Sequence, residues 1–200
     1  MELDEHKVNA DPVKEFQVWF ENAGKTYTEE ANAMILSTVD NNHRPSSRAV
    51  LLKDYSAKGF SFYTNYNSRK AKEIENNPFV SLLFYWPTLG QQVRIEGKLS
   101  KLSLKESEEY FRSRPRESRI GAWASYQSHE LHDRKELDDK IEKFTKEFEG
   151  IDVPKPEWWG GFLLVPDRFE FWQGRESRLH DRVTYTLQND NSWKICRLSP

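Results

Sequence analysis

The chain has 200 residues, 30 basic and 32 acidic side chains, a formal net charge of −2 and only 36% apolar residues. That length can bury roughly 70% of the unfolded surface, enough for one soluble domain without disulfides or metal. The near-cancelled charge argues against non-specific nucleic-acid binding as the main activity. Apolar stretches such as 79–86 are strand-sized, far short of the roughly 20 residues that span a bilayer. The acidic start, Met1-Glu2-Leu3-Asp4-Glu5, has no apolar run and so no signal-peptide pattern. The lone Cys196 allows no intrachain disulfide and fits a reducing compartment, with cytosol as the expectation. Seven Trp, eight Tyr and twelve Phe make aromatics 14% of the chain. A core of few but large side chains suits packed sheets.

Residues 1–10 read as a short tail and 11–200 as one domain. Asp11-Pro12 opens a helix, with Asp as N-cap and Pro in the first turn. Val13, Phe16, Trp19, Phe20 and Ala23 form its apolar stripe, and Gly24 is the expected stop. Strands are expected over 33–39 and 46–55, joined by the turn-rich Asp40-Asn41-Asn42-His43-Arg44-Pro45. Another strand follows over 60–65, and a short helix over 68–76 stops at Asn77-Pro78. Strands over 79–86 and 92–99 flank a turn at Pro87-Thr88-Leu89-Gly90.

Ser103-Leu104-Lys105-Glu106 fits a capping box, starting a helix through Tyr110 that Pro115 interrupts. A second short helix covers 117–124. Asp133-Arg134-Lys135-Glu136 opens a third, charged helix to about 148, with Ile141, Phe144 and Phe148 as its apolar contacts. Three strands complete the chain: 161–165 with 169–173, then 179–187, then 193–198. The reading is mainly β with peripheral helices: six or seven strands in an antiparallel barrel, with helices between hairpins.

Four constellations carry chemistry. On a strand, Arg178, His180 and Arg182 share one face, a cationic wall suited to an anionic or electron-accepting ligand. A solvated edge strand, offset by Asp181, is the alternative. Arg48 and Lys53 bracket an apolar strand and, five apart, should face opposite sides; they serve two ligands or simply mark strand ends. Asn67-Ser68-Arg69-Lys70 puts two cations at a helix start, against the helix dipole, and a phosphate bound to the free N–H groups would explain them. Plain surface charge is the rival. Tyr110, Arg114 and Ser118, four apart, share one face of a continuous or gently kinked helix and make a phosphate pocket of phenol, guanidinium and hydroxyl. An RNA-contacting patch is the competing reading of that arginine-rich segment.

Other patterns are weak. His129 and His132 lack a third metal ligand with convincing spacing, so no metal site is expected. Gly160-Gly161 lacks the lysine of a P-loop. No nucleophile elbow occurs, and Cys196 reads as a packed thiol.

In order along the chain, the stretches 48–53, Phe62-Tyr63-Thr64-Asn65, Ser68-Arg69-Lys70, Asn76-Asn77-Pro78, 110–118, Ile120-Gly121-Ala122-Trp123, Gln127-Ser128, Trp159-Gly160-Gly161, Glu170-Phe171-Trp172-Gln173-Gly174 and 178–182 resemble the pyridoxamine 5′-phosphate oxidase family. The resemblance implies an FMN-binding split β-barrel working as a homodimer with FMN at the subunit interface. It implies oxidation of pyridoxamine or pyridoxine 5′-phosphate to pyridoxal 5′-phosphate, with O2 as acceptor and H2O2 as product. By matching position, Arg48, Ala49, Val50, Leu51, Leu52, Lys53, Tyr63, Thr64, Arg69, Lys70, Gln92, Gln127, Ser128, Trp172 and Arg182 would hold FMN. Lys53, Tyr110, Arg114 and Ser118 would hold the substrate phosphate, and Arg178 and His180 would lie over the substrate ring as the catalytic pair.

Three departures from the family stand out. The segment before Asp11 is short and acidic where many members carry a basic, tyrosine-containing arm. Glu30 stands where some relatives have Asp. Arg119 replaces a common Gln, adding a cation near the substrate-phosphate segment. Two other readings stay open: a split-barrel flavin oxidoreductase with another electron donor, and a non-catalytic pyridoxal-phosphate carrier or RNA-binding module.

Overall fold

The computed structural model describes residues 3–27 and 30–200; Met1 and Glu2 of the expected tail lie outside them. Helix α1 (Pro12–Thr26) opens as expected, with the Asp11 carboxylate accepting from the Val13 N–H. It buries Phe16, Trp19 and Ala23 and runs two residues past Gly24, so the glycine is interior and the helix ends against Tyr27.

Among the described residues nine strands follow in one sheet: β1 (Ala33–Val39), β2 (Pro45–Leu51), β3 (Asp54–Ser56), β4 (Gly59–Asn65), β5 (Phe79–Trp86), β6 (Gln91–Lys101), β7 (Trp159–Gln173), β8 (Asp181–Leu187) and β9 (Trp193–Leu198). Their order is β2-β1-β5-β6-β7-β4-β3, with β8 also on β7 and β9 outside β8. Every pairing is antiparallel. Helix α2 (Arg69–Asn76) lies between β4 and β5, while α3 (Leu104–Ser113), α4 (Arg116–Ala124) and α5 (Arg134–Glu147) lie between β6 and β7. Among the described residues no helix is long and apolar enough to cross a membrane.

The sheet curls into a split barrel because β7 changes partners along its length. Its first half pairs with β4, its second half with β8, and β6 runs beside both. The sequence reading has two runs here, 161–165 and 169–173, and Pro166 between them cannot donate to a ladder. The structure instead keeps one fifteen-residue strand and places Pro166 opposite Gly97, where the β6–β7 register shifts. A bulge tolerates the missing N–H, and glycine is required opposite it: a Cβ on residue 97 would sit 2.2 Å from the Val165 carbonyl oxygen. The expected strand over 46–55 also breaks, at Leu52-Lys53, giving β2 and the three-residue β3. Splitting 46–55 adds a strand while β7 joins two runs, so the two differences offset each other in the count, which is nine where six or seven strands were expected.

The core explains the composition. Phe16 packs edge-on against Phe60 with ring centroids 4.9 Å apart, and Phe62, Phe84, Phe169, Phe171 and Tyr185 are fully buried around the same cluster. Each such ring contributes roughly 1.5–3 kcal/mol by burial, so few apolar residues suffice. A second cluster under α3, α4 and α5 joins Phe111, Ile120, Phe144, Phe148 and Val153 to Trp159 at the start of β7. Ser103 and Glu106 form the expected capping box of α3, and Asp133 caps α5. Cys196 is half-buried on β9.

Candidate active site

A cavity of about 790 Å³ opens where β2, β4, the start of α2 and the α3–α4 junction meet. It is lined by Arg48, Ala49, Val50, Leu51, Lys53, Tyr63, Thr64, Arg69, Lys70, Tyr110, Arg114, Ser118, Gln127 and Ser128 among the expected residues. Three expectations about how they get there are corrected. Arg48 and Lys53 do not face opposite sides: β2 ends at Leu51, Leu52 turns into the core, and Lys53 emerges on the cavity side. Leu52 is therefore 4% exposed and absent from the lining. Tyr110, Arg114 and Ser118 do not share a continuous helix either. Arg114 is extended (φ −75°, ψ 148°) ahead of Pro115, and the kink between α3 and α4 turns the three toward one cavity.

Lys70 sits at the polar heart of the cavity and is buried. Its ammonium donates to Gln127 Oε1 at 2.9 Å, Thr64 Oγ1 at 3.1 Å and Ser68 Oγ at 3.4 Å. Glu73, also buried, is engaged by the other two cations: Arg48 at 3.2 Å and Arg69 at 2.8 Å. Among the described residues no carboxylate lies within ion-pair distance of Lys70. Burial, and then the neighbouring Arg48 charge, push its pKa down to about 8. Burial works against the Glu73 carboxylate, but bonds from Thr38 and Arg69 and the Arg48 charge hold its pKa below the ordinary value. At the mouth of the same region the Arg69 N–H donates to Ser128 Oγ at 3.2 Å, where Ser128 adopts φ 71°.

Arg114, half-buried, likewise has no carboxylate within ion-pair distance among the described residues. Its Nη1 is buried with no hydrogen-bond partner, its guanidinium lies 4.7 Å from the Trp159 ring centroid, and burial lowers its pKa. Beside it Tyr63 stacks on Tyr110 at 3.9 Å and on Trp159 at 5.3 Å. Burial pushes the Tyr63 phenol up to about 12, so it remains a hydrogen-bond donor at neutral pH. A buried and a half-buried cation without anions, walled by hydroxyls and aromatic faces, fit a ligand that carries phosphate and flat rings.

The remaining expected residues form a separate patch. Gln92 on β6 lies across from Trp172 on β7, which lies across from Arg182 on β8. Arg182 is held by both Glu170 oxygens, at 3.0 and 3.1 Å, and donates to the Ser199 carbonyl. His180 packs on Trp172 with centroids 4.6 Å apart. Arg178 is not on a strand. It ends a turn in which Ser177 and Arg178 both have left-handed φ, 56° and 60°, and β8 begins only at Asp181. The shared strand face expected for Arg178, His180 and Arg182 is thus replaced by a strand for Arg182 and a tight turn for the other two. None of Gln92, Trp172, Arg178, His180 and Arg182 lines the cavity of its own chain.

Two structural contributors carry no role in the sequence reading. Glu73 could have been found from its i,i+4 spacing to Arg69; Trp159 had only its place beside Gly160-Gly161 as a signal. Arg119, suspected of adding charge to the substrate side, pairs with Asp152 at 2.5 Å and does not line the cavity.

Sheet and cavity together define a split barrel of the kind found in FMN-binding proteins. Among solved structures, a pyridoxamine 5′-phosphate oxidase-related, FMN binding protein from Nostoc punctiforme matches with a TM-score of 0.76, covering 96% of this chain and 100% of that one at 17% identity. PhzG from Burkholderia lata, solved with tetrahydrophenazine-1-carboxylic acid, matches at 0.93, covering 100% and 98% at 29% identity. The family model described as pyridoxamine 5′-phosphate oxidase matches residues 20–147, and that for the pyridoxine 5′-phosphate oxidase C-terminal dimerisation region matches 159–200. The pyridoxine/pyridoxamine 5′-phosphate oxidase of Rippkaea orientalis is 50% identical over 198 residues, spanning 99% of this chain and 93% of its own. The chain belongs to the pyridoxamine 5′-phosphate oxidase family and is an oxidoreductase.

Proposed function

We propose that the chain is an FMN-dependent oxidase that converts pyridoxamine 5′-phosphate and pyridoxine 5′-phosphate to pyridoxal 5′-phosphate, working in the cytosol as a homodimer. The observation that carries this reading is the pair of cations, buried Lys70 and half-buried Arg114, that face one cavity with no carboxylate partner among the described residues. Each phosphate brings about −1.5 to −2 charges, and the two cations stand on different elements with different companions. Lys70, Arg69, Thr64, Gln127 and Ser128 suit the FMN phosphate, with residues 48–53 along the flavin. Lys53, Tyr110, Arg114 and Ser118 suit the substrate phosphate. FMN, when bound, supplies the redox chemistry, oxidising the substrate carbon and passing the electrons to O2 to give H2O2.

The chain's own contribution is binding, orientation and charge. Gln92, Trp172, Arg178, His180 and Arg182 would reach the cavity of a second copy. That four of these fall inside the family's dimerisation region, 159–200, supports this, as do the exposed apolar side chains of Ile35, Leu51, Tyr85 and Leu179. Arg178 and His180 would then hold the substrate ring against the flavin, and positioning of this kind can supply much of the rate. The lone cysteine, Cys196, supports a reducing compartment.

Protein purified with FMN should be yellow and should release H2O2 from pyridoxamine 5′-phosphate. Bound flavin without turnover on either phosphorylated vitamer would overturn the substrate assignment, and preference for a tetrahydrophenazine carboxylate would move the chain toward PhzG. Arg178→Ala is expected to lower kcat at least tenfold with flavin absorbance retained. Flavin loss with unchanged kinetics in the remaining holoenzyme would contradict that role.

A further inference from the structure

The turn over 174–180 is tethered by more contacts than its role as a connection requires. Its first residue is fixed by the Gly174 N–H on the Gly90 carbonyl at 2.7 Å. The next, Arg175, is held at both ends. Its side chain donates to Asp181 Oδ2 at 2.7 Å, and its backbone N–H donates to His180 Nδ1 at 3.1 Å. The other Asp181 oxygen accepts from Arg197 at 2.8 Å, and Arg197 in turn pairs with Glu5 at 2.7 Å and donates to the Leu3 carbonyl. Asp181 is thus the knot between the turn, β9 and the amino-terminal segment. The Arg175 and Arg197 bonds outweigh its burial and keep its carboxyl below the ordinary range.

The bond to His180 has a chemical consequence. A backbone N–H can only donate, so Nδ1 must offer its lone pair, and the ring proton resides on Nε2. Trp172, packed against the imidazole, limits its rotation. Among the described residues Nε2 has no hydrogen-bond partner, so its N–H is available to a ligand. The two left-handed residues just before, Ser177 and Arg178, strain the turn, and the Arg175–Asp181 bond ties its ends together.

We infer that Asp181, acting through Arg175, is a positioning residue that locks His180 in the Nε2–H tautomer, so that His180 meets the substrate as a hydrogen-bond donor. This rests on the reading that His180 faces the substrate, and deepens it. A base accepting a proton at Nε2 would need the opposite tautomer, and the Arg175 N–H denies it.

The test is long-range proton–nitrogen NMR on FMN-loaded protein labelled with ¹⁵N-histidine, with His180 assigned by the signal lost in His180→Gln. One tautomer is expected, with Nδ1 unprotonated and Nε2 protonated. Asp181→Asn and Arg175→Ala should each mix the tautomers and lower kcat about tenfold, while FMN affinity changes less than twofold. A wild-type Nδ1–H signal, or an unaltered single tautomer in both variants, would overturn the inference. Should His180→Gln leave turnover untouched, the placement of His180 beside substrate fails, and the tautomer measurement still stands or falls alone.

Discussion

Replacing Lys70 with methionine is expected to cost about two orders of magnitude in FMN affinity and, at the same time, to make the FMN-free protein more stable at neutral pH. The ammonium is buried, carries a pKa pushed down to about 8, and touches only neutral oxygens. The lowering from 10.5 corresponds to about 3 kcal/mol of disfavoured charge in the folded state. Methionine removes that charge but leaves Thr64 and Gln127 one donor short; because these two also bond each other at 3.1 Å, the net gain should be about 1–2 kcal/mol. In the other direction, a charge-assisted bond to phosphate is worth about 1.5–3 kcal/mol, or roughly 10- to 150-fold in Kd.

The sign with pH follows. The folded protein holds Lys70 protonated only below about pH 8, whereas the unfolded chain holds it to about 10.5. The unfolded state therefore binds more protons between those values, and wild-type stability rises with pH across that window, closing the gap to the variant. FMN affinity of the wild type should weaken above pH 8, while that of Lys70→Met stays flat. Urea melts of FMN-free protein and flavin fluorescence titrations from pH 7 to 9.5 measure both. Equal affinities for the two proteins would remove Lys70 from the phosphate site.

Most elements were legible because their signals are local. Asp11-Pro12, the Ser103–Glu106 box and the strand over 79–86 are each dictated by residues within one turn or one pleat, and all stand as expected. What escaped depends on partners distant in sequence. Pro166 breaks a strand in any local reading, and only the bulge at Gly97, some seventy residues earlier, lets β7 continue. The same holds at the site. The chemical character of Lys70, Arg114 and Tyr110 was readable from residue type and spacing. Their convergence comes not from a continuous helix face but from the kinked alternative, through the break at Arg114-Pro115. Glu73 makes Lys70 the odd cation out, and the left-handed turn lifts Arg178 off β8; neither has an unambiguous signature in a single sequence.

Gly161→Ala is expected to loosen the substrate side of the cavity from behind. Gly161 lies opposite Tyr63 in the β4–β7 ladder, and a Cβ there would sit 2.7 Å from Tyr63 Cε1 and 2.5 Å from Leu102 Cδ1. The leucine methyl can rotate away. The tyrosine ring cannot do so freely, because it is stacked with Tyr110 and Trp159. Nor can the backbone retreat: the Gly161 carbonyl accepts from Tyr66 Oη at 3.0 Å and the Leu102 N–H at 2.9 Å, and the Gly161 N–H donates to Ser107 Oγ at 3.3 Å. Overpacking of this kind costs about 1–3 kcal/mol, a fall in Tm of roughly 3–10 °C at this size. Because Tyr63 pushes on Tyr110, and Trp159 carries the Arg114 guanidinium, the strain should reach the proposed phosphate contacts. The expected kinetic signature is a KM for pyridoxamine 5′-phosphate raised at least tenfold, with FMN affinity within a few-fold of wild type, since Lys70 and Glu73 stand on α2 and are not touched. Steady-state kinetics and flavin titration on the folded variant check this. An unchanged KM alongside the lower Tm would mean that the aromatic stack supports the fold alone, without setting the geometry of Arg114.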